Sequence, residues 1–516
     1  MHIVTIEEMR VLESRADREY GLNSSLLMET AGKSAAELLA RELGPVSGLE
    51  FLLLIGPGNN GGDGLVIARH LQEWGGLVNL YYWKERRLVI HNEEVSREQT
   101  AQSLEQAIKS SRAILDALLG IGRARPLPDD MRALLQRVHE ERNQRETLCL
   151  VAIDLPTGMN ADTGEVDPGT IPVDLTITLA CPKQGFFFFP ARGYLGKLLV
   201  GSIGLPPQLE ADLHTEMLTD TLVRKLVPER PLESNKGTFG KAMLLCGSLP
   251  YPGSAFLAGS GAARTGAGLI TMAVTEQMLP IYADTLHEAT FLILPPEEEE
   301  SHKRVDVLME NIAGYRSLLL GPGLGQSPYT REVILYILER LRAMPVEQRP
   351  RLVIDADGLN NLSALEYWWT LLPPETVITP HPGEMGRLCK DLKVSGGSLD
   401  RLDLARAKAS EWKVTLVLKG ACTIITQADH AGSVYTRINW KANPAMASAG
   451  TGDVLAGMTT GFLAQGLSPF NAASAAVYLH ASAGERISAE IGQAGLLASD
   501  LLSQIPRALH NLNAKE

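Results

Sequence analysis

One stretch of this chain crowds glycine, asparagine and aspartate together: Gly56-Pro57-Gly58-Asn59-Asn60-Gly61-Gly62-Asp63-Gly64, directly after the apolar run Phe51–Ile55. Glycines at such a place let the chain turn tightly and let a ligand approach the backbone. A helix opening from the turn directs its free N–H groups at phosphate. The stretch satisfies GxGxxG, but no lysine follows the glycines, so it is not a P-loop. A tight strand-to-helix turn without a ligand would read much the same. Two further aspartates end apolar runs, Asp116 in Ile114-Leu115-Asp116 and Asp154 in Ala152-Ile153-Asp154-Leu155-Pro156-Thr157. In an open parallel sheet the carboxyl ends of the strands share one edge, where ligands bind. Asn60, Asp116, Asp154 and Thr157 can therefore converge. Oxygen ligands of this kind suit a hard cation, and a lone carboxylate suits proton transfer. The alternative is that Asp116 and Asp154 cap the helices that follow them.

A second constellation lies in the other half. Ser448-Ala449-Gly450-Thr451-Gly452-Asp453 has small residues that admit a phosphate and a helix start whose N–H groups form an anion hole. Asp453, in the first turn, can accept a hydroxyl proton, which is the logic of phosphoryl transfer. The alternative is a glycine-rich helix start with Asp453 as a partner of the helix dipole. Three more polar turns follow apolar runs: Gly321-Pro322-Gly323-Leu324-Gly325, Thr379-Pro380-His381-Pro382-Gly383-Glu384 and Lys419-Gly420-Ala421-Cys422-Thr423. All three can face one sheet edge. His381 stands between two prolines that restrict its backbone. Asp355 and Asp357, in Val353-Ile354-Asp355-Ala356-Asp357-Gly358, can orient magnesium or cap a helix.

The elements that must position these groups show as alternation. Residues 7–19, 24–42 and 64–74 read as helices, and Phe51–Ile55, Leu77–Trp83, Ala113–Leu115 and Leu148–Ile153 as short buried strands. This predicts a parallel sheet covered on both faces. Residues 206–235 are mostly polar, contain several prolines and carry no strong strand signal, which sets a domain boundary near residue 222. The alternation then resumes. Ala242–Cys246, Leu318–Leu320, Leu352–Ile354, Thr376–Ile378 and Thr415–Leu418 read as strands, and 253–265, 452–465 and 470–488 as helices rich in small residues. The fold class is α/β, with domains 1–222 and 223–516.

The bulk properties agree. A chain of 516 residues holds two or more domains. A net charge of -12 gives no general attraction to nucleic acid or to anionic membranes. The five cysteines form no CxxC pair, which fits free thiols in a reducing compartment. The first residues lack the basic and apolar blocks of a signal peptide. The run Phe186–Phe189 is far short of the ~20 apolar residues of a membrane helix. A cytoplasmic protein is expected.

With these motifs in view, residues 1–205 resemble the NAD(P)H-hydrate epimerase family, through ESRADREYGLNSSLLMETAG, PGNNGGDG, DALLGIG and AIDLPTGMNADTG. The resemblance implies that Asn59, Asn60, Gly61, Gly62 and Asp63 contact a hydrated nicotinamide nucleotide, together with Gly120, Ile121, Gly122, Arg123, Ala124, Arg125 and Pro126. It also implies a potassium ion held by Asn60, Asp116 and Thr157, and Asp154 as the substrate-contacting acid/base. Many relatives have serine where this chain has Thr157; both supply an oxygen. Residues 223–510 resemble the ADP- or ATP-dependent NAD(P)H-hydrate dehydratases. Their segments here are NKGTFGKAMLLCGS, YPGSAFLAGSGAARTGAGL, GPGLG, VIDADGLN, TPHPGEMGRL, VLKGAC and NPAMASAGTGDVLAG. By that resemblance Ala255, Gly323, His381 and Asp453 contact the hydrate. Lys419, Gly420, Ala421, Cys422 and Thr423, with Ser448, Ala449, Gly450, Thr451 and Gly452, hold the nucleotide. Asp453 activates the ring hydroxyl, and magnesium accompanies ADP.

Taken together, the resemblance implies two three-layer αβα domains, the first Rossmann-like and the second ribokinase-like. The implied activity is metabolite repair. The hydrates of NADH and NADPH are epimerised, and the S hydrate is dehydrated with ADP or ATP as phosphoryl donor; bacterial members generally use ADP and yield AMP and phosphate. Alanine-rich helices suit a homo-oligomer. The main rival is a ribokinase-like kinase of a vitamin or sugar with a non-catalytic N-terminal domain. Such a kinase needs no epimerase-like half, and TPHPGE is more typical of the dehydratase branch. A scaffold role for the first half is disfavoured by retention of Asp116, Asp154 and the asparagine pair. A dehydrogenase is disfavoured by Pro57 in the glycine loop and by the lack of a clear acidic residue ending the strand at 77–83.

Overall fold

The structure is a computed structural model that describes residues 1–122, 126–390 and 398–514. It divides into two compact units, His2–Leu213 and the residues from His214 onward with Met1. Among the described residues no helix is long and apolar enough to cross a membrane.

The first unit is built on one sheet of eight strands: β1 (Glu50–Ile55), β2 (Leu77–Tyr82), β3 (Arg87–Ile90), β4 (Glu93–Glu94), β5 (Ala113–Ala117), β6 (Cys149–Ile153), β7 (Leu175–Leu179) and β8 (Lys197–Gly201). Their order is β4-β3-β2-β1-β5-β6-β7-β8. The strands from β2 to β8 in that order pair in parallel, while β3 and β4 add an antiparallel edge. The continuous apolar run of β1 is explained by burial on both faces. Phe51, Leu53 and Ile55 pack into one core and Leu52 and Leu54 into the other, which makes the unit three-layered. The parallel strands run outward in both directions from the β1–β5 pair. The ends of β1 and β5 therefore flank the switch point, where ligands bind in doubly wound sheets.

The helix expected from residue 64 begins at Asn59, so the glycine stretch is itself the first turns of the helix Asn59–Glu73. Close approach explains the glycines. A Cβ on Gly61 would lie 2.0 Å from the Gly56 carbonyl oxygen, and one on Gly56 would lie 1.7 Å from that of Leu118.

The second unit carries a ten-stranded sheet: β9 (Thr215–Met217), β10 (Lys241–Leu245), β11 (Leu269–Thr275), β12 (Thr290–Leu294), β13 (Ser317–Leu320), β14 (Arg351–Ile354), β15 (Val377–Ile378), β16 (Thr415–Leu418), β17 (Ile424–Ala428) and β18 (Val434–Ile438). Its order is β12-β11-β10-β13-β14-β15-β16-β17-β18-β9, parallel except where β17 meets β16 and β18. The small-residue helices expected from the sequence are present, and their glycines are contact points. A Cβ on Gly457 would lie 2.0 Å from the Ala258 carbonyl oxygen, and one on Gly261 would lie 2.6 Å from that of Val454. The helices Pro252–Arg264 and Thr451–Ala464 thus touch backbone to backbone, which fixes the helix bearing Asp453 against the sheet.

The compact units divide between Leu213 and His214, upstream of the boundary expected near residue 222. The cause is β9. Its three residues pair in parallel with β18, and the short helix Asp220–Leu226, capped by Thr219, follows directly. Arg224 of that helix also donates to the Leu512 carbonyl at 2.7 Å.

Candidate active sites

In the first unit the ends of β1, β5, β6 and β7 surround a cavity of about 760 Å³ whose lining includes Glu13, Asn59, Asn60, Asp63, Gly120, Ile121, Gly122, Asp154 and Lys183. Asp154 follows β6 with φ at 64°, a left-handed conformation that is uncommon for a residue with a side chain. Its Oδ1 accepts hydrogen bonds from Thr178 Oγ1 at 3.1 Å, from the Leu179 N–H at 3.2 Å and from Lys183 Nζ. Lys183 is 1% exposed, and its ammonium also donates to Thr178 Oγ1 and the Leu179 carbonyl, both at 2.9 Å. A buried cation with this many acceptors fixes the carboxylate opposite it. The helix Asn59–Glu73 has Gly58 at its N-cap with no side-chain cap, so its first N–H groups remain available to a ligand.

Asn60, Asp116 and Thr157 are joined through Leu119. Asn60 Nδ2 donates to the Leu119 carbonyl at 3.0 Å, the Leu119 N–H donates to Thr157 Oγ1 at 3.1 Å, and Thr157 Oγ1 donates to Asp116 Oδ1 at 2.7 Å. Burial pushes the Asp116 carboxyl above its ordinary range, against hydrogen bonds from Thr157 and Leu118. Asn60 Oδ1 is buried and has no hydrogen-bond partner among the described residues. An orphaned carbonyl oxygen beside a buried carboxyl and a hydroxyl oxygen suits a hard cation. Gly120 is close by; a Cβ there would lie 3.2 Å from Asn60 Cβ. Pro126 is exposed, and Arg123, Ala124 and Arg125 lie outside the described residues.

In the second unit β14, β15 and β16 end at Asp355, Thr379 and Lys419. Lys419 Nζ donates to Asp355 Oδ1 at 2.8 Å and lies 3.7 Å from Glu384 Oε2. Burial pushes the Lys419 ammonium down, but Asp355 and Glu384 outweigh it, and its pKa rises. Asp453 shares this field. Burial, then Asp355, pushes its carboxyl up to about 6; a hydrogen bond with Ser254 and the charge of Lys419 oppose the rise, and Asp357 adds to it. Gly450 opens the helix Thr451–Ala464 at φ 86° with no side-chain cap. Gly452 leaves room for the lysine, since a Cβ there would lie 3.3 Å from Lys419 Nζ. The two expected nucleotide segments therefore meet at Lys419 and Gly452. Within them Gly420 and Ala449 are exposed and Cys422 and Thr423 are buried.

His381 has a structural task. Its Nδ1 accepts from the Gly383 N–H at 3.0 Å, while its own N–H donates to Glu384 Oε2 at 2.8 Å, a reciprocal cap on the helix Pro382–Cys389. Nδ1 is therefore the acceptor and Nε2 carries the proton, on a ring that is half exposed. Gly323, at φ 66°, sits at the turn after β13, where its carbonyl accepts from Ser248 Oγ at 2.7 Å. Ala255 departs from expectation: it is 0% exposed and presents no surface to a ligand. Its neighbour Ser254 is the residue that reaches Asp453. Asp357 is a loop anchor, accepting from the Gly325 N–H at 2.9 Å and from Gln326 Nε2 at 3.1 Å. A second cavity of about 980 Å³ opens beside the turns at 247–251 and 324–327; its lining does not include Lys419 or Asp453.

Several functional candidates escape the sequence reading. Lys183 lies in Cys181-Pro182-Lys183-Gln184, a segment with no chemical signature, and Glu13 opens a recognisable segment without announcing a role. His480 is partly buried mid-helix, its Nε2 2.9 Å from the Thr451 carbonyl oxygen. Burial, with the charge of Lys419, pushes its pKa down to about 4, so it is a neutral donor to the first residue of the helix that carries Asp453.

A family model described as NAD(P)H-hydrate dehydratase matches residues 242–507, and one described as YjeF-related protein N-terminus matches residues 24–185. The bifunctional NAD(P)H-hydrate repair enzyme of Moorella thermoacetica is 36% identical, over 99% of this chain and 97% of its own length. That of Salinibacter ruber is 33% identical, over 98% of this chain and 95% of its own length. Among solved structures, an ADP/ATP-dependent NAD(P)H-hydrate dehydratase from Bacillus subtilis is 31% identical; the match covers 58% of this chain and 98% of that one, with a TM-score of 0.48. On the strength of its full-length relatives, the chain belongs to the family of bifunctional NAD(P)H-hydrate repair enzymes.

Proposed function

We propose that the first unit interconverts the R and S hydrates of NADH and NADPH, and that the second dehydrates the S hydrate with ADP, releasing AMP and phosphate. The observation that carries this reading is Asp453. It stands in the uncapped first turn of a glycine-opened helix, titrates near neutrality, and lies in the field of the Asp355–Lys419 pair. A carboxyl pushed up to about 6 is mostly ionised at pH 7 and still basic enough to take a hydroxyl proton.

In the second unit Asp453 removes the proton of the ring hydroxyl as its oxygen attacks the terminal phosphorus of ADP. The bond from that phosphorus to AMP breaks, with Lys419 and the first-turn N–H groups facing the phosphates. The ring nitrogen's lone pair then expels the phosphate, and loss of a proton from the neighbouring carbon restores the dihydropyridine. Magnesium, bound with the nucleotide, would offset the phosphate charge.

In the first unit Asn60, Asp116 and Thr157 would hold potassium, whose charge would balance the buried Asp116 carboxylate and tie together the turns after β1, β5 and β6. Asp154 handles the proton at the reacting carbon. The Asn59–Gly62 backbone, at the open helix start, binds the nucleotide.

The test is recovery of the reduced-nicotinamide absorbance from a mixture of NADH-hydrate epimers with magnesium, potassium and either ADP or ATP. Complete recovery, after subtraction of spontaneous epimerisation, supports both activities and names the donor. Recovery that stops at the fraction of one epimer removes the epimerase. A stable phosphorylated vitamin or sugar in place of recovery points to the kinase reading. Exchanging potassium for a bulky organic cation should slow epimerisation and leave dehydration of the S hydrate unchanged.

A further inference from the structure

This inference rests on the epimerase reading of the first unit, which leaves a requirement that Asp154 alone does not meet. Reduced nicotinamide is a cyclic enamine. Protonation at its β-carbon gives an iminium, and water adds at the carbon beside the ring nitrogen. Inverting that carbon by retracing the last step breaks its C–O bond as the nitrogen lone pair forms C=N. The oxygen takes a proton and leaves as water. A second water then adds from the opposite face and gives up a proton. Nothing is oxidised or reduced, but an acid is needed on one face of the ring and a base on the other. Asp154 cannot swing between them, because its left-handed backbone and the three donors on its Oδ1 hold it in place.

Three other carboxyl groups line the same cavity: Asp63 from the helix Asn59–Glu73, and Glu13 and the exposed Asp17 from the helix Ile6–Tyr20. Asp63 is buried, and among the described residues no N–H or O–H donates to its carboxyl. Buried polar groups are ordinarily hydrogen-bonded, so a carboxyl left bare toward a cavity marks a place for a ligand or a transferable proton. We propose that Asp63 is the second proton-transfer residue of this cavity, serving the ring face that Asp154 does not reach. Burial pushes its carboxyl up to about 7; Asp154 and Glu13 add to the rise and Lys183 opposes it. A group that titrates there is protonated in a large share of molecules at neutral pH, while Asp154, ion-paired to Lys183, supplies the carboxylate. In one direction the departing hydroxyl takes the Asp63 proton and the entering water gives one to Asp154. In the other direction the roles exchange. Glu13, which also faces Asp154, Lys183 and Arg10, is the neighbouring charge that tunes Asp63.

The experiment uses the full-length chain and the R hydrate of NADH without nucleotide, with the epimers separated chromatographically over a pH series. Asp63→Asn should slow catalysed epimerisation by roughly 10²-fold or more. Dehydration of the S hydrate by the same preparation should be unchanged, and a wild-type melting transition of the first unit shows that this unit is folded. In Glu13→Gln the limb on which epimerisation falls with rising pH should move to lower pH, because loss of a negative neighbour weakens the hold of Asp63 on its proton; a structural role for Asp63 would not move that limb. A wild-type rate in Asp63→Asn, or an unmoved limb in Glu13→Gln, overturns the inference and leaves the epimerase standing. A wild-type chain no faster than the uncatalysed reaction overturns the epimerase reading as well.

Discussion

Asp453 and His480 occupy one neighbourhood, and burial moves their titrations to opposite sides of the question of charge. Asp453 must be ionised to act as a base, and its carboxyl titrates near 6. Dehydration should therefore fall as the pH drops through that region, and Asp453→Asn should remove roughly 10²–10⁴-fold of the rate while leaving epimerisation intact. A pH–rate profile on the pure S hydrate checks both. His480 is neutral in the folded chain because burial holds its pKa near 4, below the ordinary histidine value. The sign follows from linkage: the unfolded chain binds a proton that the folded chain refuses, so His480 costs stability as the pH falls from the ordinary value toward 4. His480→Gln should flatten that part of the melting-temperature profile relative to wild type. The same variant should raise the KM for ADP more than it lowers kcat, since the ring acts on the Thr451 carbonyl and not on the reacting atoms.

At the scale of elements, the glycine stretch between β1 and its helix is a packing solution as much as a binding loop. Gly61→Ala would drive a methyl group to 2.0 Å from the Gly56 carbonyl oxygen, a backbone clash that no rotamer relieves. The cost exceeds the ~1–3 kcal/mol typical of core overpacking. Epimerisation should collapse and the first unit should melt earlier, with the dehydratase unaffected; calorimetry and the two separate assays read this out. The same scale shows what a sequence can express. β1, β5 and β6 are continuous apolar runs ended by a glycine, Asp116 or Asp154, so strand and site are written together. β7 was not read as a strand, because Thr176 and Thr178 interrupt its apolar pattern. Both threonines are 0% exposed, and their hydroxyls are used, Thr176 Oγ1 on the Leu195 carbonyl and Thr178 Oγ1 on Asp154. β9 was missed because three residues at a sheet edge carry no period. Lys183, Ser254 and His480 were missed because each gains its role from a contact distant in sequence, and nothing in the local pattern foretells the partner.

At the scale of the whole molecule, two compact units with separate cavities raise the question of whether one hydrate must pass between sites of a single chain. Asp154→Asn disables the first site and Asp453→Asn the second. Asp154→Asn leaves the Lys183 ammonium buried without its carboxylate, and such a loss typically costs about 3–5 kcal/mol. Asp154→Asn with Lys183→Met removes both charges and is the safer first-site variant. Given the R hydrate and ADP, the first-site variant alone should recover NADH only at the rate of spontaneous epimerisation, and Asp453→Asn alone only at its residual rate of dehydration. An equal mixture of the two should approach the wild-type rate, because the S hydrate made by one chain is released and taken up by another. Raising the concentration of the Asp453→Asn chain should shorten the lag before NADH appears, as expected for an intermediate that accumulates in solution. If the mixture does no better than its separate components while each retains its surviving activity, the hydrate does not leave the chain that made it, and the two activities are joined for transfer rather than only for co-expression.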